Sequence, residues 1–341
     1  MWGDVLAQQP KGGKPMLKKM VGVAVVVMLA LTASVGFCAT SKISNLVDVD
    51  FVASKIGDPN WVILDGRSQW EYDQGHVPGA VTFGKPVVGV LKNPHDGQVK
   101  SPEEIAKLLG QIGVSNDKGL IVYGKKADFH VLTEMSPVYV GHDKYFYMDG
   151  GFETWEDADK EVQTEANEPK AATFTVKEVR NDMYISTQEL MELVNSKAPN
   201  LTIIDVRSDA EFTASAVQSL RGGTIPGAIH IPHNAPIDQE TGKFKSIKEL
   251  EEIYGDIPKD NLVVFYCHRG CRTAYTYMAL ESLGFKNAKN YEEGWIVWGN
   301  RLDTPIANEH YRNMRGIDKK IKILLEKVFA LEDKIAELEE E

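Results

Sequence analysis

Along the chain, short apolar runs alternate with segments whose apolar residues recur every three to four positions. Leu201–Val206 and Leu262–Tyr266 are rich in β-branched and aromatic residues, the pattern of strands buried on both faces. Around them, Thr187–Asn195, Ile247–Tyr254 and Thr273–Leu283 carry the helical period, with Ser186 or Thr187 standing where an N-cap belongs. A further short strand is expected over Ala228–Ile231, after an Ile-Pro-Gly turn. This alternation predicts an α/β fold, a parallel sheet sandwiched by helices. Ligands of such sheets sit beyond the carboxyl ends of the strands. Asp205, Arg207 and Cys267 all fall there.

The pattern occurs twice. Trp61–Ser68 resembles Leu201–Ser208, and Val77-Pro78-Gly79-Ala80-Val81 recurs as Ile225-Pro226-Gly227-Ala228-Ile229. Leu120–Gly124 matches Val263–Cys267, and Gly151–Trp155 matches Gly294–Trp298. Four blocks in one order, offset by about 140 residues, indicate duplicated domains rather than the shorter units of a solenoid. The copies are placed at 40–155 and 173–312, with a linker at 156–172 rich in Glu, Lys, Asp and Ala. A leader with a secretory signal is expected over 1–39, because Lys18 and Lys19 precede the apolar stretch Val21–Phe37. The chain is therefore expected to be periplasmic or otherwise exported; an uncleaved segment anchoring it to a membrane is the alternative.

From Met314 the apolar period changes to a heptad. Ile321, Val328 and Ile335 hold one position, and Ile317, Leu324, Leu331 and Leu338 the other. β-Branched residues at a with Leu at d favour a parallel two-stranded coil, and Lys327 and Lys334 at g face Glu332 and Glu339 at e. A coiled-coil helix over 313–341 is expected, making a parallel homodimer through 314–341. A helix packed back on its own domain, or one solvated and frayed, is the alternative.

Composition narrows the function. With 43% hydrophobic and 26% charged residues the 341-residue chain is globular, and its net charge of −11 excludes nucleic acid as a natural partner. Three cysteines, Cys38, Cys267 and Cys271, make neither a disulfide framework nor a zinc quartet. No metal or cofactor is expected. The chemistry concentrates instead in Cys267-His268-Arg269-Gly270-Cys271-Arg272. A cysteine that ends a buried strand and opens a helix sits among backbone N–H groups and at the positive end of the helix, surroundings that favour a reactive thiolate and bind an anion.

These motifs resemble the rhodanese (thiosulfate sulfurtransferase) family in its tandem form: Asp-x-Arg after a strand, Ile-Pro-Gly-Ala before the next, a Cys loop after Phe-Tyr, and a late Gly-Trp segment. The resemblance covers roughly residues 45–305. It implies that Cys267 carries a persulfide and that the position matching it in the first copy, Gly124, makes that copy inert. The Cys-x4-Arg loop is one residue shorter than that of related phosphatases and arsenate reductases, which favours sulfur over a tetrahedral oxyanion. The resemblance also implies that Arg207 points into the cleft as an anion ligand, with Asp205 in structural support. His268, Arg269, Gly270, Cys271 and Arg272 complete the expected substrate site: Gly270 provides positive φ, His268 favours the thiolate or faces elsewhere, Arg269 holds the donor's sulfonate end or is solvated, and Arg272 adds positive charge or serves structure alone. Arg67, Lys125 and Lys126 are candidates for lining the cleft from the first copy, or the lysines are simply solvated. Cys271 either joins or resolves Cys267, or lies in the core as an inert thiol. Small sulfur anions as donors, with cyanide or a thiol as acceptor, are the expected partners. A thiol–disulfide redox protein using both cysteines and a non-catalytic scaffold are the competing readings.

Overall fold

A computed structural model describes residues 45–93, 98–128, 136–313 and 315–339. The expected leader and signal lie outside the described residues, as does Met314. The first lobe runs β1 (Leu46–Val47), α1 (Val49–Ala53), β2 (Trp61–Asp65), α2 (Gln69–Gln74), β3 (Val81–Thr82), α3 (Val87–Leu91), α4 (Pro102–Gln111), β4 (Gly119–Tyr123), α5 (Ser136–Tyr139), β5 (Tyr145–Met148) and α6 (Gly151–Asp157). Its sheet is parallel throughout, in the order β1-β5-β4-β2-β3. The second lobe runs α7 (Thr187–Asn195), β6 (Leu201–Asp205), α8 (Asp209–Phe212), β7 (Arg221–Thr224), β8 (Ile229–His230), α9 (Ile247–Tyr254), β9 (Leu262–Tyr266), α10 (Ala274–Ser282), β10 (Ala288–Asn290), α11 (Gly294–Trp298) and β11 (Ala307–Tyr311). Here β10-β9-β6-β8 form a parallel sheet, while β7 and β11 pair antiparallel beside it.

One capping device starts many of these helices. Ser68, Ser101, Ser186, Ser208 and Ser246 each accept from the backbone N–H three residues on, and the Glu at that position reaches back to the cap. Each box satisfies two N–H groups that a helix start leaves over. The residues assigned as a linker do not float between lobes. His76 and Gln163 exchange backbone hydrogen bonds of 2.9 Å, and Asn167 Nδ2 donates to the Ala80 carbonyl at 3.0 Å, so this segment is bound to the first lobe.

Each lobe is pinned at the carboxyl end of its central strands by a buried ion pair. Asp205 accepts from the Arg207 backbone N–H at 3.0 Å, from Arg207 Nη2 at 2.6 Å and from Tyr266 OH at 2.7 Å. Arg207 Nη2 also donates to the Gly223 carbonyl, and its guanidinium lies 4.1 Å from the Trp295 ring centre. The expectation that Arg207 reaches into the cleft is therefore corrected. It is buried, its charge is neutralised by Asp205, and Trp295 covers it. Asp205 binds the backbone N–H of Arg207 just beyond the strand end. The first lobe repeats the arrangement with Asp65, Arg67, Tyr123, the Gly75 carbonyl and Phe152. Arg67 is thus excluded from the cleft for the same reason.

The lobes share one apolar core, in which Val87, Leu91 and Tyr147 of the first meet Ile237, Phe244 and Tyr275 of the second. Asp149 is half-buried near this junction, where it accepts from the Phe244 backbone N–H at 3.0 Å. Burial pushes its carboxyl up to about 6, against the Phe244 hydrogen bond and Lys243. The folded chain thus binds this proton more tightly than the unfolded chain, so the site weakens stability as pH rises from about 4 through 6. Asp149→Asn should raise stability at pH 8 by roughly 2 kcal/mol and have little effect at pH 3.5, as measured by denaturant unfolding at both values. Equal effects at the two pH values would refute this assignment.

Candidate active site

Cys267 follows the last residue of β9 and is buried. The loop after it is shaped by where its carbonyls point. The Cys267 and His268 carbonyls accept from the N–H groups of Trp295 and Ile296, each at 2.9 Å, in the first turn of α11. The Arg269 carbonyl faces Lys92 Nζ at 3.4 Å and the Cys271 thiol at 3.6 Å, and the Gly270 carbonyl accepts from Thr273 Oγ1 at 2.6 Å. A trans peptide directs its N–H opposite to its C=O. Holding four consecutive carbonyls from outside therefore turns the N–H groups of His268, Arg269, Gly270 and Cys271 away from those donors, into a common cradle. Among the described residues, no backbone carbonyl accepts from the N–H of His268, Arg269, Gly270 or Arg272.

Two glycines make this path possible. Gly270 has φ +71°, and a Cβ there would overlap the Glu292 carboxylate. At Gly294 a Cβ would lie 2.9 Å from both the Cys267 and His268 carbonyl oxygens, blocking the approach of α11. Thr273 had been expected inside the helix; it stands one residue before α10, where its hydroxyl serves the loop instead.

Arg272 closes the cradle. Its guanidinium donates to Glu211 at 2.7 and 2.9 Å and also hydrogen-bonds the Cys267 sulfur. Burial opposes the Glu211 charge, yet Arg272 and the Ser208 cap overcome it and hold the carboxyl at about 2. His268 is different. Burial pushes it down to about 4, with Glu211 pulling the other way, so its ring is neutral near pH 7. A neutral ring brings no positive charge to the Cys267 thiolate. Its Nδ1 is buried without a partner among the described residues. Arg269 is exposed, and with His268, Arg312, Ser219 and Asn300 it lines a cavity of about 260 Å3. Cys271 is partly exposed, which corrects its placement in the core, and no disulfide joins it to Cys267.

The sister loop shows the contrast. Phe152 N–H donates to the Gly124 carbonyl at 2.8 Å, just as Trp295 does to Cys267. Beyond that two loop donors are taken internally: Lys126 N–H donates to Glu153 Oε2 at 2.6 Å, and Asp128 N–H to the Lys125 carbonyl at 3.1 Å. Lys125 pairs with Glu71, and Lys126 Nζ reaches the Glu240 carbonyl. Among the described residues, a first-lobe cation that reaches the Cys267 loop is Lys92, which the sequence did not single out. Nothing near it marks the role, because its carboxylate partner Glu292 is 200 residues away. Among the described residues, no group of three or more His, Cys, Asp or Glu side chains converges to hold a metal ion.

Two parallel-sheet lobes, one whose loop surrounds a cysteine and one with glycine at the matching position, are the layout of a tandem rhodanese. The rhodanese-like domain family matches residues 48–158 and 186–301, and the chain belongs to that family. The thiosulfate sulfurtransferase of Corynebacterium glutamicum is 29% identical over 283 residues, covering 79% of this chain and 92% of that protein. Among solved structures, the anaerobic ergothioneine biosynthesis enzyme from Chlorobium limicola, in complex with trimethyl histidine, aligns with a TM-score of 0.68. That likeness covers 77% of this chain and 69% of the other at 20% identity, and it shows the fold.

His268 binds its proton more weakly folded, at about 4, than its ordinary 6.5, so the unfolded chain holds more protons in that window. Stability should therefore fall as pH drops from 6.5 to 4, and His268→Gln should flatten that slope. Thermal unfolding of both chains across the window checks it; an unchanged slope in the variant would contradict the burial argument.

Proposed function

We propose that the chain is a sulfurtransferase that carries sulfur on Cys267 by double displacement. The Cys267 thiolate attacks the outer sulfur of thiosulfate; the sulfur–sulfur bond breaks, and its electron pair leaves with sulfite. The persulfide formed, Cys267–S–S⁻, places its negative outer sulfur in the cradle of N–H groups, beside the Arg272 guanidinium. Cyanide or a thiolate then attacks that outer sulfur and returns Cys267 as thiolate. One observation carries this reading: four consecutive loop carbonyls are held outward, so that the N–H groups face inward around a cysteine. A preorganised donor of this kind is worth roughly 3 kcal/mol to a developing anion. The relative named thiosulfate sulfurtransferase in Corynebacterium glutamicum supports thiosulfate as donor. Arg269 and Arg312, in the cavity next to the loop, suit the sulfonate end of such an anion.

The sulfur is transferred outside the cytoplasm in this proposal, supported by the basic, apolar and small residues over 18–39. Its further partner is a second copy of the chain. Helix α12 (Arg315–Glu339) leaves Leu324, Val328, Leu331 and Ile335 exposed along one seam. A lone helix gains little from such a stripe in water, whereas a parallel copy buries it and sets Lys327 against Glu332.

Incubation with thiosulfate should add about 32 Da, one sulfur atom, to the intact chain. The addition should vanish in Cys267→Ala and persist in Cys271→Ser. A loss of about 2 Da needing both cysteines, with no added sulfur, would place the chain among redox proteins instead. Light scattering should find the full chain dimeric and a chain ending at Arg312 monomeric; equal masses per chain would remove the coil.

A further inference from the structure

Of the four loop carbonyls, three are held by groups of the catalytic lobe. The fourth, that of Arg269, meets the Cys271 thiol of its own lobe at 3.6 Å and, on the other lobe's side, an ammonium at 3.4 Å. Lys92 follows α3, beside the bridge its backbone makes with Val99, and its side chain is buried. Its Nζ lies 2.5 Å from Glu292 Oε1 and 3.4 Å from the Arg269 carbonyl oxygen. The second distance is long for a hydrogen bond, but charge–dipole attraction declines gently with distance in a buried site. Glu292 also accepts from Asn290 Nδ2 at 2.7 Å and from the Val99 backbone N–H, again a first-lobe group. Its Oε2 lies 2.4 Å from where a Cβ of residue 270 would be. Lys92 and Glu292 together therefore bear on the back of the Arg269–Gly270 peptide.

That peptide has two ends. Fixing its oxygen toward Lys92 fixes the Gly270 N–H in the opposite direction. Gly270 has no side chain to restrict it, so its peptide is the freest in the loop and gains most from an outside anchor. A lysine that merely glued two lobes together would satisfy itself at Glu292 and have no reason to face a carbonyl of the catalytic loop.

We propose that Lys92, held by Glu292, is a positioning residue for sulfur transfer: it is the inert lobe's contribution to the active site and aims the Gly270 N–H at the sulfur bound to Cys267. This inference rests on the sulfurtransferase reading for its purpose, though not for its test. Replacing Lys92 alone strands a buried carboxylate, so the decisive variant is the neutral pair Lys92→Met with Glu292→Gln, compared with each single variant. Thermal unfolding, steady-state transfer from thiosulfate to cyanide, and the rate of Cys267 alkylation by iodoacetamide at neutral pH are read on all four chains. Tryptic cleavage after Arg269 separates the Cys267 and Cys271 peptides.

In the double variant the unfolding temperature should recover toward that of the natural chain. Its kcat should nevertheless stay down by about tenfold, part of what one cradle donor contributes, with KM for thiosulfate within about threefold. Cys267 alkylation should be slowed several-fold. A double variant that regains stability, kcat and alkylation rate together would overturn the proposal and leave Lys92 as interface glue. If the double variant does not fold, Lys92→Arg carries the test, since it keeps the charge with a different reach: kcat lowered at unchanged stability supports the proposal, and unchanged kcat overturns it. A natural chain that alkylates at Cys267 but never turns over thiosulfate would count against the sulfurtransferase reading, while its alkylation data still decide the role of Lys92.

Discussion

A ring of inward-facing N–H groups has an unavoidable counterpart, a ring of outward-facing carbonyls. Peptide planarity couples the two, and buried carbonyls need donors. The second lobe is organised around meeting that need. The first turn of α11 supplies two N–H groups that have no partner within their own helix, Thr273 at the N-cap of α10 supplies a hydroxyl, and Lys92 crosses from the other lobe. Gly294 is small because α11 must approach the loop closely, and Gly270 is small because Glu292 presses from behind. The chemistry of Cys267 thus depends on donors behind the loop that touch no sulfur.

Duplication makes the same point by comparison. Both lobes keep the aspartate–arginine pair, the tyrosine that donates to it and an aromatic ring over the guanidinium. That unit belongs to the scaffold and survives in the lobe that has no nucleophile. What differs lies in the loop. In the first lobe glycine replaces the cysteine, and the Glu153 carboxylate takes one of the loop N–H groups.

Much of this was legible in the sequence, for physical reasons that differ from residue to residue. The strands Leu201–Asp205 and Leu262–Tyr266 and the helices Thr187–Asn195 and Ile247–Tyr254 follow from local periodicity and capping. The Cys267 loop was legible because strand end, nucleophile, glycine and arginine are contiguous. Arg207 was misplaced because Asp-x-Arg has the same spelling whether the arginine faces a ligand or folds back; Trp295, which covers it, is remote in sequence. Strand β7, Arg221-Gly222-Gly223-Thr224, was missed because two glycines give it no strand propensity; it is made by its partner β11 and by Arg207 on the Gly223 carbonyl. Lys92 was invisible for a related reason, since only the fold brings it to Glu292 and the loop.

The central claim is geometric: the sulfur carried by Cys267 is held by the N–H groups of the loop, whose carbonyls are anchored from outside. A crystal structure of the chain after exposure to thiosulfate tests it most directly. The account predicts a persulfide on Cys267 with its outer sulfur within about 3.5 Å of the amide nitrogens of Arg269, Gly270 and Cys271. A persulfide turned out toward solvent, a peptide flipped so that the Arg269 carbonyl faces the sulfur, or a Cys267–Cys271 disulfide in its place would contradict it.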